Sequence, residues 1–112
     1  MEEFNLDLLQ FLVAEWHSKN FPMVDLNVDQ LGLTEEVGEL SRALVKMHTG
    51  YRGSPEEWKQ EAYKEIGDVF ISLLNVASAL QINLSDAVMD RWETISKRDW
   101  TVDRVQHGIE KA

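Results

Sequence analysis

Residues 33–46, "LTEEVGELSRALVK", set three glutamates into five positions of an otherwise regular amphipathic helix. Leu33, Val37, Leu40, Leu44 and Met47 recur at steps of four and three, the spacing of one helical face. At 100° per residue, Glu36 and Glu39 fall side by side along the edge of that stripe. A second stretch, "YKEIGDVFISLLN" at 63–75, answers it with Glu65 and Asp68, again three apart and beside an apolar face. Between the two lies "TGYRGSPEEW", where two glycines are followed by Ser54 as N-cap, Pro55 at the first helical position and Glu57 in capping-box position. So short a connection makes the helices an antiparallel hairpin, in which residues at one level have position numbers of constant sum. Glu36 with Asp68 and Glu39 with Glu65 both give 104, a midpoint at residue 52 inside the loop. Four carboxylates are expected to meet at one level, to within a turn.

Carboxylates about 5 Å apart repel by roughly 3 kcal/mol per pair at an effective dielectric near 20. That is a large share of a domain's stability, so the arrangement calls for a cation. All-oxygen ligation suits a hard ion, Mg²⁺ or Mn²⁺, and leaves positions for water and substrate phosphates. A carboxylate diiron bundle needs Glu-x-x-His pairs, and none of His17, His48 and His107 stands at such a position.

The rest of the chain supports a single helical domain over residues 1–112. Its 44% hydrophobic and 28% charged residues are those of a globular protein. Twenty acidic against eleven basic residues give a net charge of -9, which disfavours nucleic acid and anionic membranes as partners. Cysteine is absent, which excludes disulfides, thiolate metal sites and thiol nucleophiles. The N-terminus is acidic where a signal peptide is basic, and no apolar run approaches 18 residues, so the expected location is cytoplasmic.

A first helix is expected from Glu2 to about Asn20, broken by Pro22. A second starts near Asn27 or Asp29, with Asn27 as cap, and runs to about His48. The third spans residue 55 to about Gln81, and the fourth, capped by Asn83 or Ser85, reaches about Lys97 before an irregular tail. No strand pattern or repeat appears, so the fold class is all-α, a four-helix bundle-like arrangement. The third helix carries an apolar arc too wide for one neighbour, which implies a homodimer or a dimer of dimers.

"EEVGEL" and "EIGDV", with 25 residues between Glu39 and Glu65, resemble the E-x-x-E and E-x-x-D halves of the MazG-like all-α nucleotide pyrophosphohydrolase signature. The resemblance covers about residues 29–98. It implies a helical homo-oligomer that cleaves (deoxy)nucleoside triphosphates to monophosphate and pyrophosphate, with Mg²⁺ as cofactor and Glu36, Glu39, Glu65 and Asp68 as metal ligands. The implied mechanism is metal-assisted attack of water on a phosphoryl group, with a carboxylate as base. Glu35 and Glu36 are the catalytic candidates, Glu35 being placed to orient or deprotonate the water.

Family members add Lys, Asn and Arg after the second motif to hold phosphates. Here Arg91, Lys97 and Arg98 keep the basic character, while Ile95 departs from the pattern. Lys46 and Lys64 lie one or two turns from the acidic pairs, and Asn75 lies two turns beyond Asp68, within reach of sugar or phosphate. The base needs an apolar slot with a few polar groups, for which Trp16 and His17 are candidates, although Trp16 also fits a core position. Trp58, Trp92 and Trp100 read as packing or interface residues. The competing reading is a non-catalytic helical module that binds a nucleotide or a protein and keeps the metal for structure alone.

Overall fold

The computed structural model describes residues 3–101, and its four helices follow local capping chemistry closely. Helix α1, Leu6–Asn20, starts where the Asn5 side chain accepts from the Leu8 N–H. Helix α2, Leu26–Thr49, starts earlier than the spacing suggests: Asp25 accepts from the Val28 N–H, and Asn27 lies inside the helix. Asp and Asn cap about equally well, but Asp25 adds a full negative charge at the positive end of the helix dipole. Gly50, at φ 69°, closes α2 in the left-handed conformation. Helix α3, Pro55–Ala79, has the complete capping box, with Ser54 Oγ accepting from the Glu57 N–H and the Ser54 N–H donating to Glu57 Oε1. Those bonds hold the Glu57 carboxyl below its ordinary range, chiefly through the Ser54 N–H. Helix α4, Leu84–Ile95, is capped by Asn83. Trp100 and Thr101 are helical where an irregular tail is expected, and the remaining tail lies outside the described residues.

The helices pair serially: α2 packs along α3, α3 on α1, and α1 on α4. They form an open arrangement rather than a closed ring, with a radius of gyration of 17.8 Å against about 13 Å for a compact domain of this length. One apolar core sits where α1, α3 and the start of α4 meet, built on Val13, Leu74, Ala77 and Leu84 with Leu6, Leu9, Phe70, Ile71 and Leu73 packed against it. Gln10 locks the turn between α3 and α4 to α1: its Nε2 donates to Ser78 Oγ and the Ile82 carbonyl, and its Oε1 accepts from the Leu84 N–H. Among the described residues no single helix is long and apolar enough to cross a membrane.

The α2–α3 loop fixes how the long hairpin is registered. Trp58 Nε1 donates to the Tyr51 carbonyl at 3.2 Å, and the same atom stands 2.8 Å from where a Cβ on Gly53 would be. Only glycine leaves room for the indole there. Arg52 takes a positive φ of 59°, a conformation that costs about 1 kcal/mol for a residue with a side chain. Arg42 lies over the Trp58 ring at 5.4 Å.

Candidate metal centre

Glu36, Glu65 and Asp68 lie in the packing seam of the hairpin, where the periodicity puts them at its edge. Along α2 the inward residues are Leu33, Glu36, Leu40, Ala43 and Met47, while Val37 and Leu44 turn outward and are exposed. Along the facing part of α3 the buried residues are Ala62 and Glu65. Ala43 and Ala62 are the physical reason for the rotation, because two methyl-sized side chains let the backbones approach and draw their own faces inward. The 100° projection weighs large apolar residues and is blind to such small ones.

Glu65 is therefore 6% exposed, while its neighbour Ile66 is 58% exposed. Glu36, Glu65 and Asp68 converge, one carboxylate oxygen of each lying within 4.8 Å of the other two. Desolvation, then the negative charges of Asp68 and Glu65, push the Glu36 carboxyl above its ordinary range. Glu65 Oε2 is buried with no hydrogen-bond partner. A buried carboxylate oxygen without a donor costs free energy unless something else binds it. Three converging carboxylates, with one buried Glu65 oxygen unpartnered, fit a Mg²⁺ or Mn²⁺ ion and suit a softer metal poorly.

The fourth expected ligand stands apart. Glu39 is exposed and outside the converging group, and Glu35 is exposed next to Glu36. One turn before Glu65 on the same helix stands Glu61, whose Oε2 is also buried without a hydrogen-bond partner. Lys64 reaches over both, its Nζ 3.5 Å from Glu61 Oε2 and 3.7 Å from Glu65 Oε1. Glu61 first, then Glu65, raise the Lys64 pKa.

Beside the carboxylates, where α1, the start of α2 and the end of α3 meet, lies a cavity of about 260 Å³ lined by His17, Asp29, Asn75 and Ser78 among others. His17 Nε2 is 2.8 Å from Asp29 Oδ1, and the Asp29 side chain is only 8% exposed. Asn75 Oδ1 is buried without a hydrogen-bond partner. His17 and Asn75 are thus brought to one cavity. Asp29 was not singled out by the sequence, in which it is one more acidic residue in the first turn of a helix; its role depends on the end of α1 coming alongside.

Other expected residues scatter. Trp16 is 55% exposed and meets Phe21 edge to face at 5.8 Å, outside the core. The reason is that among the described residues α1 is covered chiefly on one face, by α3 and α4. Lys46 lies 4.4 Å from the Tyr51 ring at the hairpin tip. Arg91 borders an apolar groove on α4 with Val88, Trp92 and Ile95, and Lys97 pairs with Glu93 at 3.6 Å. Arg98 is exposed just beyond α4. Helix α4 packs chiefly on α1, so these three cations are not brought to the carboxylates within one chain.

Comparison with known proteins bears on the same segment. A relative from Bacillus subtilis (strain 168), called uncharacterized protein YpjD, is 36% identical over 72 residues, which are 62% of this chain and 65% of that protein. The chain thus spans just under two thirds of that relative's length. No solved structure matches the chain. The model of the MazG nucleotide pyrophosphohydrolase domain matches residues 29–102, a span that opens at Asp29 and takes in both acidic motifs. The hairpin, its converging carboxylates and this match agree, and the chain belongs to the MazG nucleotide pyrophosphohydrolase domain family.

Proposed function

We infer that the protein is a Mg²⁺-dependent pyrophosphohydrolase that cleaves (deoxy)nucleoside triphosphates to the monophosphate and pyrophosphate. The observation that carries this reading is the convergence of Glu36, Glu65 and Asp68 within 4.8 Å, with a buried Glu65 oxygen left unpartnered, in a chain of this family. Those three residues would hold the ion, with Glu39 and Glu61 one turn nearer the loop as outer ligands. A bound divalent ion supplies charge neutralisation to the phosphate oxygens. Glu35, exposed beside Glu36, takes the proton of the attacking water as the anhydride bond between the α- and β-phosphates breaks.

The cavity of His17, Asp29, Asn75 and Ser78 seats the nucleoside. Asn75 stands seven residues beyond Asp68, about 10 Å along α3, in the direction a nucleoside extends from phosphates held at the carboxylates. Asp29 holds His17 in place, leaving the other ring nitrogen free to contact the base. Lys46, Arg91, Lys97 and Arg98 would reach phosphates only from a second copy or after rearrangement. The outward Phe11, Trp16, Leu31, Tyr63 and Ile66, together with the open shape, favour a homodimer or dimer of dimers.

The test is pyrophosphate release from a panel of deoxynucleoside and ribonucleoside triphosphates with Mg²⁺. The expected result is turnover by the wild type, loss in Glu65→Gln and a smaller loss in Glu39→Gln. A wild type that binds Mg²⁺ yet releases no pyrophosphate from any of them would leave the non-catalytic module in its place.

A further inference from the structure

We propose that Lys64 is the resident counter-cation of the carboxylate cluster, which an incoming divalent ion must displace. This rests on reading the cluster as a metal site.

Glu61, Glu65, Glu36 and Asp68 bring four acidic groups to one stretch of the seam, and among the described residues Lys64 alone of the lysines and arginines forms an ion pair with any of them. Its ammonium bridges Glu61 Oε2 and Glu65 Oε1. Lys64 directly precedes Glu65 in a helix, so the two side chains leave the backbone about 100° apart. The lysine stem must bend back over the cluster to make the second contact.

The bridge is loose by design of its geometry. Both separations, 3.5 and 3.7 Å, are beyond a tight charged hydrogen bond, and the Lys64 side chain is 63% exposed. The second oxygen of Glu65, in a side chain more than nine-tenths buried, stays unpartnered beneath it. Lys64 thus offsets part of the repulsion among the acids without satisfying the buried oxygen, and it can swing into solvent without disturbing the packing. A dication that takes Glu65 through its free oxygen is repelled by the ammonium on the other, drives that contact open, and then sits beside the positive charge it has moved. Lys64 in this way sets the metal concentration at which the site fills, and once displaced it leaves an ammonium at the mouth of the site, where a phosphate tail would arrive.

A unit charge about 6 Å from a dication in water-like surroundings changes its affinity by roughly threefold to tenfold, depending on salt. The experiment measures Mg²⁺ and Mn²⁺ binding without nucleotide, by calorimetry and by the metal-induced rise in Tm, in the wild type, K64Q and K64R. The expected result is K64Q binding both ions roughly threefold to tenfold more tightly and melting lower in EDTA, with K64R close to wild type. Unchanged or weaker binding by K64Q, with the wild type binding normally, overturns the assignment of Lys64 and leaves the metal site intact. A wild type that takes up neither ion overturns the site itself.

Discussion

The two halves of α3 are built on opposite rules. In its second half the buried residues are Leu74 and Ala77, which join Val13 and Leu84 in the only apolar core cluster among the described residues. In its first half the buried residues are Ala62 and Glu65, and the large apolar side chains Tyr63 and Ile66 face outward. One helix therefore carries its apolar core at one end and its converging acids at the other. The inversion in the first half is what the proposed function asks of a helix whose inner face would hold an ion and whose outer face would meet another chain.

The comparison breaks most visibly if the two halves do not respond separately. Leu74, 0% exposed, is the anchor of the second half, and Leu74→Ala should cost roughly 2–5 kcal/mol of stability by chemical denaturation. The increment in Tm that Mg²⁺ adds should survive in that variant at a temperature where it is folded. Glu65→Gln should do the reverse. Pyrophosphate release should fall by about a hundredfold or more and the Mg²⁺ increment should vanish, while the protein in EDTA melts higher because a buried charge has been removed. A lower melt in EDTA would mean that Glu65 is a structural partner rather than a waiting ligand.

Acidity gives a finer reading of the first half. Glu36 has its pKa raised above the ordinary 4.5, so its contribution to folding is fully present below that value and is lost as pH rises through its higher folded value. Without metal, the wild type should lose Tm relative to Glu36→Gln as pH climbs from about 4.5 toward neutrality, and Mg²⁺ should restore the difference. Parallel Tm curves for the two proteins would remove the electrostatic strain from the account. The smallest effect belongs to Gly38, in mid-helix, where an added Cβ meets nothing. Gly38→Ala should raise stability by about 0.5–1 kcal/mol if that face is open to water, whereas a drop would show that a second chain packs against it.

Much of this was written locally in the chain. The capping box at Ser54 and Glu57, the glycine stop at residue 50 and the antiparallel hairpin depend on contacts within a few residues, and the structure has them where the spacing puts them. What the spacing misplaces depends on partners distant in sequence. The seam is turned to bring Glu36 inside, with Ala43 and Ala62 both buried in it, and small residues carry little weight in a hydrophobic projection. Trp16 faces outward because no helix among the described residues covers that side of α1. The pairing of His17 with Asp29 exists only once the end of α1 lies beside the start of α2.

The contact between Trp58 and Gly53 carries a consequence for how such a site changes over time. Trp58 is seven residues, about 10 Å, before Glu65 on the same helix, so the indole acts as a shim: its thickness against a residue without a side chain sets how far one helix slides along the other. Any change that thickens or thins that joint moves the carboxylates past each other without touching them. The spacing of the oxygens is adjustable from a loop that holds none of them.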